Sequence, residues 1–220
     1  MPTSGVTAYT NTARNYVEKA MLSANIVGDA DDVTAAELAA GIDAINRIMK
    51  SWQGVDGVNL WLETNGTLAI PATEASGTLP ENIRDVISAN AVVSATFERQ
   101  LQQINREEYQ SLPNKAAAGV PTCFYVSRQR DAVVVYVWPV PTVDTDLKID
   151  YERYCDVVTD GAETVDVPEE YADTLLAVLA VRLCGEFGVQ PSQELATRAA
   201  ILERRLFDSS RPKSYFMVGV

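Results

Sequence analysis

The sequence predicts an α+β fold, mostly helical, in which a helical bundle carries an inserted antiparallel β-sheet and hairpin. Three observations predict it. Apolar residues recur at helical spacing towards both ends of the 220-residue chain. Between those ends lies a stretch rich in Val, Tyr, Phe and Trp, punctuated by Gly, Pro and Asn turn signals. No internal repeat or long linker interrupts the series, so helices, strands and helices follow one another as layers of one domain.

The first helix is expected over residues 7–24, where Ala8, Ala13, Val17, Ala20 and Met21 recur near helical spacing. The second spans 34–52. Thr34 suits its N-cap, and Glu37, three residues on, completes a capping box. Leu38, Ile42, Ile45, Ile48 and Met49 line one face, and Gly54 and Gly57 stop the helix beyond Trp52. The short loop between these helices makes them an antiparallel pair.

A β-rich insert covers about 58–158. Runs at 58–63 and 67–70 flank Asn65-Gly66, a dipeptide suited to a hairpin turn, and 71–80 reads as a loop. Weak alternation places strands at 84–88 and 95–98, and a short helix follows at 104–112. The sharpest signal is a hairpin of 122–128 and 132–138 with the tip Arg128-Gln129-Arg130-Asp131. Pro139 and Pro141 cannot donate to a ladder, so the second strand ends there. A third strand carries Leu147, Ile149, Tyr151 and Tyr154, and Asp160-Gly161 turns the chain.

Helices at 168–188 and 192–208 complete the bundle. Pro168 opens the first, whose face holds Tyr171, Leu175, Leu176, Leu179, Leu183 and Phe187. Leu195, Ala199, Leu202 and Leu206 line the second. Residues 1–208 thus form a single domain, and 209–220 a C-terminal tail.

Charge and composition exclude several functions. The net charge is −12, from 30 acidic and 18 basic residues, which disfavours a sequence-independent nucleic-acid binder and fits a soluble protein. No run approaches the roughly 20 apolar residues of a membrane helix, and the start lacks a secretory signal. The chain is expected to be soluble and made in the cytoplasm. There is no histidine, which removes the commonest general base and every Ser-His or Cys-His pair. Cys123, Cys155 and Cys184 are odd in number, far apart and set in apolar runs, so neither a disulfide framework nor a structural zinc site is expected. No cofactor is expected either, because phosphate-cradling and dinucleotide motifs are missing.

Several short features invite chemistry and have a plainer explanation. Asp29-Ala30-Asp31-Asp32 lacks the alternating ligands of a calcium loop and reads as a solvated turn. Glu107-Glu108 and Glu169-Glu170 are adjacent carboxylates, which point apart on a helix, whereas hydrolysis needs two that face one bond. Glu169-Glu170 follows Pro168 at a helix start, where negative charge complements the dipole. Phe124, Tyr125, Tyr136 and Trp138 suit either a base-stacking platform or, better in this acidic setting, a core-facing hairpin. Tyr215, Phe216, Met217 and Val218, preceded by Arg211 and Lys213, are apolar where a terminal peptide is normally polar. They either fold back onto the body or dock into a partner groove.

The order of these features resembles the head-to-tail adaptor proteins of tailed bacteriophages, in particular the tail accessory factor, or packaged-DNA stabilisation protein, of short-tailed phages. Residues 36–52, AELAAGIDAINRIMKSW, are similar to the family's second helix ending in tryptophan. Glu108-Tyr109, Leu112-Pro113 and Gly119-Val120-Pro121-Thr122 resemble the segment before its hairpin. Trp138-Pro139-Val140-Pro141 resembles its strand exit, and Val167-Pro168-Glu169-Glu170-Tyr171 with Leu179-Ala180 its next helix. The resemblance implies a structural virion protein at the neck. It would form a twelve-subunit ring beneath the portal that joins head to tail and helps retain packaged DNA. Its partners would be the portal protein, tail or nozzle proteins and further copies of itself, with DNA passing through the lumen without specific binding and no membrane. It also shifts the tail towards docking, with Arg211, Lys213, Tyr215, Phe216 and Met217 on the portal. Arg128, Gln129 and Arg130 would meet a neighbour or tail protein. The alternative is a tail-associated enzyme that cleaves peptidoglycan with paired carboxylates.

Overall fold

The side chain of Thr34 accepts a hydrogen bond from the Glu37 amide, and the Glu37 carboxylate answers with one from the Thr34 amide at 2.8 Å. This reciprocal cap starts the longest helix of the computed structural model, which describes residues 11–28, 32–55, 60–130 and 132–210. The chain divides into two compact units, Trp61–Tyr154 and the remainder, Met1–Leu60 with Cys155–Val220.

The second of these is helical. Its elements are α1 (Ala13–Ser23), α2 (Ala35–Gln53), α4 (Ala172–Glu186) and α5 (Gln193–Ser210). Helix α4 packs against α1, α2 and α5, and its sequence says why. ADTLLAVLAVRLCGE is apolar on nearly every side, as a central helix must be, and Leu175, Leu179, Leu183 and Cys184 are fully buried. A 3-10 turn, Glu169–Tyr171, leads into α4 after Pro168. Gly188 ends it at φ +67, a left-handed conformation in which the Val189 amide reaches back to the Cys184 carbonyl at 2.9 Å. Helix α1 begins at Ala13 with Thr12 as its cap, and the earlier part of the expected 7–24 helix lies outside the described residues.

The other unit is a β-sandwich. Its strands are β1 (Leu62–Ile70), β2 (Ser76–Leu79), β3 (Ile83–Ser94), β4 (Phe97–Gln100), β5 (Gln102–Gln103), β6 (Cys123–Arg128), β7 (Val133–Trp138) and β8 (Thr145–Arg153), with a short helix α3 (Arg106–Ser111). One sheet has the order β1-β8-β3-β4 and the other β2-β7-β6-β5. Only the β5–β6 pair is parallel among the described strands. Leu68, Ile70, Val86, Ala89, Phe124, Val135, Val137, Leu147 and Ile149 from the two sheets share one apolar cluster.

The structure corrects three expectations. Helix makes up 37% of the described residues and strand 29%, so the fold is α+β without being mostly helical. Asn65-Gly66 is no hairpin turn: β1 runs straight through it, and Asn65, at φ 60, sits in a bulge where the register to β8 shifts. The expected loop at 71–80 contains β2, which pairs with β7. The expected third strand is present as β8, in the sheet opposite the β6–β7 hairpin and between β1 and β3.

Candidate functional site

The β6–β7 hairpin exists as expected, closed at its tip by the Gln129 amide bonded to the Ala132 carbonyl at 2.9 Å. Alternation along β7 buries Val133, Val135 and Val137 in the sandwich and turns Val134, Tyr136 and Trp138 outward. The tip does not stand apart from the sheet below it. The Arg128 guanidinium grips both carboxylate oxygens of Asp85 on β3, with Nε to Oδ1 at 3.2 Å. This bidentate pair raises the guanidinium's proton affinity further.

Asp85 belongs to a set of four charges. Its neighbour Arg84 donates to Glu152 on β8 at 2.8 Å. Bulges at 83–85 and 86–88 break the alternation of β3, so consecutive residues serve two different partners. Glu152 is buried, and burial pushes its carboxyl above the ordinary range against the pull of Arg84. Two cations and two carboxylates therefore neutralise one another, each carboxylate already held by an arginine. Arg130 and Gln129 line a shallow groove with Glu81, Ile83 and Tyr154.

The aromatic residues of the hairpin divide between two roles. Phe124 is buried in the sandwich core. Tyr125 and Tyr136 lie on the outer face, where Tyr109 of α3 closes over them. The three ring centroids are 5.4 to 5.9 Å apart, and the Lys115 ammonium lies 5.7 Å from the Tyr109 ring. These rings stack on one another, which leaves no gap for a base between them. Burial raises the Tyr109 hydroxyl pKa. Trp138 donates its indole N–H to the Asn114 carbonyl at 2.9 Å, fastening the preceding loop to the strand end.

The paired glutamates are engaged in helix starts. Glu108 forms a capping box with Asn105 at the head of α3, and Glu169-Glu170 occupies the turn before α4. No group of three or more metal-ligating residues comes together among the described residues, and Asp29, Ala30 and Asp31 lie outside them. Cys123, Cys155 and Cys184 are buried and unpaired, with thiols pushed up by that burial. Arg211, Lys213, Tyr215, Phe216 and Met217 also lie outside the described residues.

Two surface features escaped the sequence. Phe97 is 57% exposed at the β3–β4 hairpin with Val93 nearby in sequence, also exposed. On α5, Ile201 is 48% exposed in a groove with Glu194, Thr197, Arg198, Leu202 and Arg205. Both are apolar residues amid polar ones, off the faces that periodicity picks out.

No protein-family model and no curated protein matches the chain. Among solved structures it is similar to a chain described as "Neck of empty GTA particle computed with C6 symmetry". The identity is 15%, the match covers 96% of this chain and 98% of that one, and the TM-score is 0.30.

Proposed function

We propose that the chain is a structural subunit of a bacteriophage neck, a ring-forming adaptor between the portal and the tail that helps to retain packaged DNA. The ordered sequence resemblance supports this reading, and its motifs fall on elements that hold the subunit together. Trp52, at the end of α2, is buried and bonded to Glu203 of α5. Trp138 ends β7 and is tied to the loop before the hairpin. Pro168 leads into the central helix α4.

The observation that carries the proposal is what the carboxylates do. Asp85 and Glu152 are each held by an arginine, and Glu37 and Glu108 each close a helix cap. These acids are committed to structure, while apolar side chains such as Phe97 and Ile201 face outward, where another protein can cover them. An acidic subunit also suits a conduit, because like charge keeps a duplex from adhering as it passes. In this reading Arg128, Gln129 and Arg130 meet a neighbour or tail protein, and Arg211, Lys213, Tyr215, Phe216 and Met217 dock on the portal.

Purified subunit mixed with portal particles provides the test, read as the mass and symmetry of the assembly by electron microscopy. A closed ring on the portal is expected, and deletion of residues 211–220 should weaken it while leaving the subunit folded. A subunit that stays monomeric with portal, or that is missing from the mature particle, overturns the proposal. Clearing of cell wall by the purified protein, abolished by one Glu→Gln change, establishes the enzyme instead.

A further inference from the structure

We infer that the exposed stripe of α5 is the resting place of the chain's own segment 211–220 in the free subunit, with Tyr215, Phe216 and Met217 laid across Ile201. This goes beyond the ring reading and is testable on the subunit alone.

The stripe is built by helical spacing. Ala199 and Leu206 point into the bundle and are buried. Glu194, Thr197, Arg198, Ile201 and Arg205 recur at intervals of three and four and form a second, outward row. Leu202 is half-buried beside it and deepens the groove. An exposed isoleucine between two arginines is an unusual outer face for a helix, and it selects for aromatic cover. The aliphatic stems of Arg198 and Arg205 extend the apolar surface, and their guanidinium planes can lie against ring faces. Arg198 is held in place by Asp173 of α4 at 2.6 Å.

The occupant follows from what continues the helix. Ser210 is the last residue of α5, and the next residues include Pro212, which cannot continue it, and the run Tyr215-Phe216-Met217-Val218. Ile201 precedes Ser210 by nine residues, about 14 Å of helix at a rise of 1.5 Å per residue. Tyr215 and Met217 lie five and seven residues beyond it, about 17 and 23 Å of extended chain. A reversal directly after Ser210 returns the run alongside α5, with Phe216 reaching the level of Ile201 and its two neighbours lying to either side.

The test is a disulfide trap in the full-length protein. Ile201→Cys combined with Phe216→Cys is compared with Ala200→Cys combined with Phe216→Cys under mild oxidation; Ala200 is exposed outside the groove, and the native cysteines are buried. The first pair should close at least about tenfold faster than the second, at a rate independent of protein concentration, as an intramolecular contact requires. Hydrogen exchange supplies a second reading without new cysteines: amides of residues 193–205 should lose protection when the chain is cut after Ser210. Equal closure rates for the two pairs, or unchanged exchange on truncation, overturn the inference. Crosslinks between chains that grow with concentration overturn it too, because the stripe would then take the segment of a second copy.

Discussion

The side-chain amide of Asn46 bonds both backbone groups of Val158. It donates to the Val158 carbonyl at 2.8 Å and accepts from the Val158 amide at 2.9 Å. Asn46 thereby acts as a one-residue strand on α2, holding residues 155–158 against that helix within the helical unit, where Lys50 adds a bond to the Cys155 carbonyl at 2.8 Å. Val158 is buried, so water cannot replace the lost partners. Asn46→Ala should therefore cost about 2 to 4 kcal/mol, more than two ordinary hydrogen bonds, because two backbone groups are orphaned. Asn46→Asp keeps the acceptor but sets a carboxylate against a carbonyl, so it should also destabilise at neutral pH and partly recover on acidification. Denaturant midpoints of the two variants check both statements.

Gly41 of α2 is a contact point rather than a hinge. A Cβ built there would lie 2.4 Å from Cγ2 of Val17 on α1, well inside van der Waals contact. By propensity alone Gly41→Ala should stabilise a helix interior by about 1 kcal/mol. The expected outcome is the reverse, a loss of about 1 to 3 kcal/mol from overpacking. Val17→Ala should restore stability in the double variant relative to the sum of the single changes, and a thermal-unfolding cycle measures that coupling.

Which of these relationships the sequence discloses depends on how far apart the partners lie. The Thr34–Glu37 cap, the proline entry to α4 and the β6–β7 hairpin are local, and their residues suffice to name them. Asn65-Gly66 misleads because positive φ serves a turn and a bulge equally, and the choice is made by Ile149 and Tyr151 on β8, far along the chain. Strand β2, SGTL, has little β character of its own and exists because β7 pairs with it. The same holds for the charges. Arg128 reads as an exposed tip residue until β3 brings Asp85 beneath it, and Tyr109 gives no sign that it will cover Tyr125 and Tyr136.

Trp52 and Glu203 illustrate a tertiary bond that carries shape as well as polarity. The indole is 1% exposed and donates to the Glu203 carboxylate at 2.8 Å, joining the end of α2 to α5. Trp52→Phe should retain most of the buried area and lose about 1 to 2 kcal/mol with the bond. Trp52→Ala should lose about 3 to 5 kcal/mol through the cavity it leaves. Glu203→Gln preserves an acceptor and should be the mildest of the three. Thermal unfolding ranks them, and a Glu203→Gln loss as large as that of Trp52→Ala would show that charge, not packing, dominates the contact.

Individual carboxylates in the two units should answer acid in opposite directions. In the helical unit, Glu163 accepts bonds from the Thr159 and Asp160 amides and the Thr159 hydroxyl, and Glu37 from the Thr34 hydroxyl and amide, which lowers both pKa values. The folded state there binds fewer protons than the unfolded chain. Their contribution is present above the ordinary glutamate range and is lost as pH falls through the lowered values. Glu152 in the sandwich is the reverse: burial raises its pKa, so the folded state holds the proton more tightly. Its contribution is present below the ordinary range and is lost as pH rises through the raised value. Hydrogen exchange, corrected for intrinsic rates and followed from neutral pH down through the lowered glutamate values, should therefore show the Thr34 cap and the 159–163 turn loosening while the Glu152 contribution tightens the sandwich. Glu152→Gln should flatten the sandwich response and Glu163→Gln the helical one; a Glu152→Gln variant with an unchanged pH slope would remove burial of that carboxyl as the cause.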